Sequence, residues 1–567
     1  MIHAIVLSAI TAATSVSIVE PIDGETYDGD WLPFRVVVEN ENEVPDSVHY
    51  GLNGSTVAQI SRLNTDWPTY MQDYLNQGYS ESPAPVNNTI LWAAPVTGEL
   101  HEFPTPVVVD GMVYYTADSI GQGTADSLYA LDAATGELIW KYDTGHADDA
   151  VTVYDGKVYS AADSIFCIDA ITGARIWAGG LADRTGSTPI VSDGLVFCGS
   201  VASSDSADIL ALDALDGSVE WIRRINANLI SCIGFSNGIL VVPSLSPAAV
   251  IAIDGATGEV IWVQDTFEHG FWDSSPTIVD NYIYINAAYA YTHCLELTSG
   301  EIVWSEMTGG GTATIAYHED RLYFASEDPP YRCLDCANGT TLWTADYSQH
   351  GSSGIADGMV FFGSNGSFGT PDSARVVALD CETGETVWTY ETSSGGPYDG
   401  FQGSPSIVDG VLYYPCTDGY LYAFGTGLKY TYREDCFYAD VGSNELIATS
   451  WDNGVAVAAD TISFTVTQTG ITLEPSRSMS LFASPNPFIS STSISFELAE
   501  SGFTSVEVFD LAGRKVLSLA DQEMVQGMHS MQWNGCNTSG EPVSPGLYFC
   551  RIEAGGTIET TGLCVLR

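Results

Sequence analysis

The sequence predicts an all-β chain, an eight-bladed β-propeller of four-stranded blades with small β-sandwich modules before and after it. Three observations carry the prediction. An eleven-residue unit, first seen as ALDAATGELIW from Ala130 to Trp140, recurs along the chain. A second unit of alternating apolar residues around a tight turn precedes each copy. The composition, 45% hydrophobic with 56 Gly, 21 Phe and 29 Tyr, is that of a folded, turn-rich β protein and excludes disorder.

From the amino end, MIHAIVLSAITAATS has an apolar run followed by small residues, as a secretory leader does, so residues 1–15 are expected to be a signal peptide. The run is too short to span a bilayer, and no other stretch approaches the length a spanning helix needs, so the chain is not expected to be an integral membrane protein. Next, VSIVEP, LPFRVVVEN and SVHYGLNG give about three strands over residues 16–60, too few for a stable sandwich. Residues 428–470 give about three more. Phe34, Val36, Val38, Val48, Tyr50 and Leu52 on one side and Ile462, Phe464 and Val466 on the other fit two sides of one core. The expectation is a single sandwich split by the insertion of residues 61–427, with Ser61 and Gly427 close in space.

Within the insertion, DWPTYMQDYLNQGYSESPAP from Asp66 to Pro85 reads as an aromatic lead-in that packs across one face of the ring. The repeats follow: CIDAITGARIW at Cys167, ALDALDGSVEW at Ala211, AIDGATGEVIW at Ala252, CLELTSGEIVW at Cys294, CLDCANGTTLW at Cys333 and ALDCETGETVW at Ala378. Paired with the hairpins ahead of them, they make four strands every 37 to 48 residues, counted from Trp to Trp. Asp-Gly steps at Asp110, Asp155, Asp193, Asp357 and Asp409 supply the positive φ that two-residue hairpin turns require. The last repeat, ending LYAFG at Gly425, lacks its Trp strand, whereas TILW at 89–92 is a Trp strand without a repeat. Each completes the other, closing an eighth blade and removing the open edges.

The repeats resemble the quinoprotein-like (PQQ-like repeat) propeller family, whose Ala-x-Asp-x-x-x-Gly-x-x-x-Trp motif docks each Trp on the neighbouring blade. The resemblance implies that Trp92, Trp140, Trp177, Trp221, Trp262, Trp304, Trp343 and Trp388 lie buried at successive blade interfaces. Physically, the Ala slot leaves room for an indole from next door, the Asp accepts turn N–H groups, and Gly takes the left-handed position. After a linker at 471–480, residues 481–567 resemble the Ig-like carboxyl-terminal sorting domains of type IX secretion substrates, on the pieces Pro485 to Phe488, Val506 to Val516 and Gly546 to Gly556. That implies export, a secreted or cell-surface location in a bacterium, and the secretion machinery as a partner.

The balance of 72 Asp and Glu against 18 Lys and Arg, net −54, repels nucleic acid and anionic lipid. It suits solubility in a salty exterior or binding of divalent cations; no D-x-D-x-D loop is present, the metal is unknown, and Ca²⁺ is the cation left open. The twelve Cys include Cys167, Cys294 and Cys333 in the Ala slot, which argues for small buried residues over disulfides, and the C-x-x-C of Cys333 and Cys336 lacks a second pair for a metal.

For function, two classes separate. The resemblance brings a quinone-dependent dehydrogenase into view, in which the cofactor stacks on a ring made by two adjacent Cys beside Ca²⁺, but this chain has no adjacent Cys pair. No cofactor and no catalytic residue is therefore expected. The favoured reading is a binding or scaffold protein with protein or glycan partners at the surface, as in the family's outer-membrane assembly member; a purely structural or adhesive component is the third. The candidate site is the axial mouth, where His101, His146, Arg184, His269, Trp272, Asp273, His350, Tyr398 and Asp399 lie on segments leading into innermost strands.

Overall fold

The computed structural model describes most of residues 64–438 and, in the flanking regions, the strands of residues 15–60, 442–467 and 481–565 with a few of the turns between them. Nearly all of the expected leader and the whole 471–480 linker lie outside the described residues. Every regular element among the described residues is a β-strand.

Between Ile90 and Phe424 the chain folds into eight sheets built on the same antiparallel four-stranded plan, the seventh of which gains Tyr79–Ser80 as a fifth, parallel strand beside Gly354–Ala356. Seven run in chain order, from a three-residue inner strand to an outer strand that bears the Trp. The eighth takes its inner three strands from Ser406–Val408, Val411–Cys416 and Tyr420–Phe424, and its outer strand from Ile90–Pro95, with Ala423 opposite Trp92. The ring is thus closed by pairing its two ends, which leaves no blade short of a strand. The inner hairpins turn at the expected Asp-Gly steps: Asp110, Asp155, Asp193, Asp357 and Asp409 all have φ of 49–52°, and Asn237 and Asp280 take the same role.

The Trp motif operates through its Gly more than through its Ala. Gly217 has φ +74°, and a Cβ built on it would lie 2.5 Å from the Trp177 indole of the preceding blade. Six more motif glycines, from Gly136 to Gly384, lie equally close under the preceding Trp. The Ala instead sits opposite the Trp of its own blade, as Ala211 opposite Trp221. Each indole N–H donates across the interface, Trp177 to the Ala214 carbonyl at 3.1 Å and Trp388 to that of Pro85 at 2.9 Å, the latter spanning the ring closure. Trp140, Trp177 and Trp388 are buried, but Trp92, Trp221, Trp262, Trp304 and Trp343 are half-buried. The expectation of full burial is corrected for those five, because the outermost strand of a blade leaves part of each indole facing solvent.

The motif Asp behaves as expected. Asp132 Oδ1 accepts the N–H of Ala134 and both the N–H and hydroxyl of Thr135, at 2.8–3.1 Å, and Asp254 and Asp380 repeat the arrangement with Thr257 and Thr383.

The flanks of the propeller pair with each other. One sheet joins Ser15–Glu20 and Trp31–Asn40 to Leu428–Tyr438, and a second joins Thr26–Asp28, Ser47–Leu52 and Ser55–Ile60 to Gly442–Asp452 and Val455–Thr467. These strands and the propeller form one compact unit through Thr467. They meet at the hairpin-turn face: Arg35 pairs with Asp357 at 3.4 Å, and the Lys429 N–H donates to the Asp409 carbonyl at 2.6 Å. The second unit, from Gln468, has sheets of three and four strands around a core that includes Ile494, Phe496, Val506, Val508, Trp533 and Ile552.

Candidate functional site: the propeller axis

In a propeller the innermost strand of each blade turns an unpaired edge toward the axis, so its N–H groups need acceptors. Here the lead-in segment supplies them. The carbonyls of Trp67, Pro68, Tyr74, Leu75, Gln77 and Gly78 accept from Val108, Val153, Phe235, Ile278, Tyr317 and Ile355, all at 2.7–2.9 Å. Each donor is the middle residue of a three-residue inner strand. The Tyr74 hydroxyl bonds to the backbone of Val191 in the third blade, and Thr65 Oγ1 donates to Asp409 Oδ1 in the eighth at 2.8 Å. Every blade is therefore bonded to one short segment. The segment lies inside the ring of inner strands and not across one face as expected; the unpaired inner edges are what draw it in.

At the end where the inner strands begin, small polar side chains form a collar: Thr105, Thr188, Cys232, Ser275, Thr314, Ser352 and Ser404, all buried. The Tyr70 hydroxyl reaches it, donating to Thr314 Oγ1 at 2.9 Å and sharing a 2.9 Å bond with Ser352 Oγ. Collar hydroxyls in turn accept the N–H groups of Ser275, Thr314 and Ser352 at 2.9–3.1 Å. Burial pushes the Tyr70 phenol up to about 12, so it is a neutral donor at physiological pH.

At the other end, toward the hairpin turns, lies a half-open cavity of about 270 Å³ lined by Asn64, Thr65, Gln72, Asp73, Gln77, Tyr79, Ser80 and Glu81. Asp73 Oδ1 accepts the N–H groups of Leu75 and Gln77 at 3.0 and 3.2 Å. Burial nonetheless raises its carboxyl to about 6, outweighing those bonds. Tyr79 stacks on His318 at 4.1 Å.

The lead-in segment fills the axis at the level of the inner strands, whereas the expected axial-mouth site was placed on the segments ahead of those strands, most of which lie outside the described residues. Of the nine residues expected there, His269 is exposed and Trp272 is 46% exposed, on the outside of a connector anchored by buried Phe271 and half-buried Phe267. His101, His146, Arg184, Asp273, His350, Tyr398 and Asp399 lie outside the described residues. Sequence reasoning missed the residues that line the axis. Their signal was present in the same segment, in the polar Gln72, Asp73, Gln77 and Glu81 set among Trp67, Tyr70, Tyr74 and Tyr79.

It also missed His293. This buried ring accepts or shares a 2.8 Å bond between Nδ1 and Ser305 Oγ, lies 4.9 Å from Phe267, and is lowered to about 4 by burial. It is a neutral member of an aromatic cluster. The ten described cysteines are all free, and burial raises the thiols of Cys167, Cys294, Cys333 and Cys381. Among the described residues no group of three or more His, Cys, Asp or Glu could hold a metal ion.

The repeat profile described as "Outer membrane protein assembly factor BamB" matches residues 84–153, 124–233 and 289–427, together just over half of the chain. A profile described as "Secretion system C-terminal sorting domain" matches residues 483–565. The outer membrane protein assembly factor BamB of Moranella endobia is 25% identical over 242 residues, 38% of this chain and 61% of that protein, so the chain spans about six-tenths of its length. The BamB of Salmonella typhimurium is 26% identical over 391 residues, 59% of this chain and 88% of that one. Among solved structures, quinohemoprotein alcohol dehydrogenase from Comamonas testosteroni superposes with a TM-score of 0.51 at 17% identity, covering 67% of this chain and 82% of that one, a likeness of fold alone. The carboxyl-terminal match marks the chain for export to the cell surface or beyond it. With the repeat profile matching over half of its length and its eight sheets closed in a ring, the chain belongs to the PQQ-like repeat propeller family of the outer membrane protein assembly factor BamB.

Proposed function

We propose that this protein is a non-catalytic binding scaffold displayed at or released from the cell surface. The observation that carries the reading is the occupied axis. Trp67 and Met71 are fully buried there and the Tyr70 hydroxyl is satisfied in the collar, so the residues present do not fit a stacked quinone. The lack of an adjacent Cys pair points the same way. A ring stiffened by a segment bonded to every blade is a rigid platform whose connecting loops are free to differ, which suits recognition of a protein or glycan partner. The relatives' name, an assembly factor, favours a protein.

The test has two arms. Titration of the full chain with pyrroloquinoline quinone and Ca²⁺, followed by absorbance, is expected to show no saturable change; stoichiometric binding would overturn the non-catalytic reading. Cross-linking on intact cells is expected to join the chain to a discrete protein. A chain that yields only self-linked products would be a structural or adhesive component instead.

A further inference from the structure

The connector that leaves the outer strand of the fourth blade, Val260–Gln264, lies over a buried histidine of the fifth. Residues 265–272 are tied down at three points. Gln264 Oε1 accepts the N–H and the hydroxyl of Thr266 at 3.2 and 2.8 Å, the Phe271 N–H donates to the Ser244 carbonyl at 3.3 Å, and the Gly270 carbonyl accepts the Ala288 N–H at 3.0 Å. Gly270 runs so close to the Leu245 carbonyl that a Cβ there would overlap it. Phe267 and Phe271, edge to face at 4.9 Å, form the underside, and the His293 ring lies 4.9 Å from the first and 6.4 Å from the second. Phe271 is fully buried in one core cluster with Ile283, Ile285 and Leu295, whereas the next residue, Trp272, faces solvent.

Nothing around His293 compensates a charge. Strand alternation sets it on one sheet face with Tyr291 and Leu295, opposite Ile285 and Ser305, and puts Glu296 and Glu306 on the other face. The fourth-blade strands that share its core cluster, Ile239–Ser244 and Ala249–Asp254, carry no charged residue before Asp254, which ends the second of them. The connector's own titratable groups, Asp265, Glu268 and His269, are exposed. Among the described residues Tyr291 is the one titratable group that touches the ring, stacked at 5.9 Å. The hydrogen bond of the ring, 2.8 Å from Nδ1, goes to the neutral Ser305 hydroxyl. An imidazolium at this place would be desolvated without a counter-ion, and burial alone lowers the ring to about 4.

We propose that residues 265–272 form an acid-released flap, closed over neutral His293 and opened when that ring takes up a proton from water. Opening breaks few bonds, as local openings of connectors do, and lifts Phe267 and Phe271 off the apolar recess of Ile285 and Leu295. It also displaces Trp272, so acid changes the surface that this side of the fifth blade presents. The closed ring resists its proton down to about 4, whereas an uncovered ring accepts it near 6.5. The opening equilibrium therefore grows as the pH falls through 6.5 and levels off below 4. At pH 5 it is on the order of 30-fold larger than at pH 7.5. The flap works in this way whether or not the propeller has a partner.

Hydrogen exchange of the full chain, read by mass spectrometry and corrected for the intrinsic rate at each pH, tests this. The reporters are the Phe271 and Ala288 amides, whose bonds hold the flap. In the wild type their protection is expected to fall on the order of 30-fold from pH 7.5 to pH 5. In His293→Phe, which cannot take up a proton, the fall is expected to disappear. His293→Gln, neutral at every pH and able to keep a bond to Ser305, carries the same arm if the Phe variant does not fold. Protection that does not change with pH in the wild type would overturn the proposal. An undiminished fall in a folded variant would overturn it as well, since the acid response would then belong to the exposed carboxylates or to unfolding of the whole ring.

Discussion

Gly217 shows how much of this fold is settled by single atoms. An added Cβ would sit 2.5 Å from the Trp177 ring and would force an alanine into a left-handed backbone. Gly217→Ala is expected to cost about 2–4 kcal/mol in denaturant unfolding, the sum of overpacking and backbone strain. Trp177→Ala removes the ring itself and its bond to Ala214, and is expected to cost about 3–5 kcal/mol, with less for half-buried Trp304. Two titratable residues, buried His293 and half-buried Asp73, act in opposite directions. His293, lowered to about 4, stays neutral in the folded chain while the unfolded chain takes up a proton near 6.5, so its contribution is full above that pH and is lost as the pH falls toward 4. Asp73, raised to about 6, stays protonated in the fold after the unfolded chain has lost its proton near 3.8; its contribution is full at low pH and is lost as the pH rises toward 6. Between pH 4 and 6 the two partly cancel. His293→Phe should leave only the Asp73 slope in that window, so the variant's melting temperature, relative to wild type, should rise on acidification from pH 6.5 to 4.5.

At the scale of elements, the lead-in segment does more than any strand of its length. Its carbonyls take up the inner-edge N–H groups of six blades, and its side chains reach the other two. Tyr70→Phe deletes only the hydroxyl that joins Thr314 and Ser352, and is expected to cost about 1–2 kcal/mol, read from equilibrium unfolding of the full chain. A loss near zero would mean that water replaces the phenol in the collar. The segment's place also explains why its aromatics are so dense: Trp67 belongs to the core cluster of Phe361 and Ile407, Met71 to that of Tyr323 and Phe362, and Leu75 packs against that of Phe271 and Ile283, so one stretch of chain joins three core clusters.

For the molecule as a whole, the ring is held shut by the strand Ile90–Pro95 and by the Trp388 bond to Pro85. Replacing Trp92 and Leu91 by Asp should open the eighth blade, expose the edge of Tyr420–Phe424, and give an aggregating protein with a broadened melt. The flanking strands draw their sheets from both ends of the chain, so neither end alone completes one. A fusion of residues 16–60 to 428–467 through a short flexible linker is expected to melt cooperatively, and each half alone is expected not to. With a net charge of −54, self-repulsion weakens the compact state, and added monovalent salt should raise the melting temperature before any specific ion effect is seen.

What the sequence by itself determined is the repeated, local part. Asp-Gly turns, the spacing of Ala, Asp, Gly and Trp, and the orphan Trp strand at 89–92 are short-range rules applied over and over, so eight sheets and their closure are legible in the order of residues alone. The pairing of Val36 and Val38 with Tyr432 and Tyr430 across nearly four hundred residues belongs to sheets whose union was legible too, because each flank alone had too few strands. Tertiary structure alone decided the rest. The motif glycine lies under the neighbour's indole only because blades are set side by side, and the partial exposure of Trp304 depends on its being on the outermost strand. The axis is the clearest case. An open axis and a filled one read alike in the sequence, because what fills it is a segment without a repeat, drawn in by N–H groups that become neighbours only when eight blades close around it.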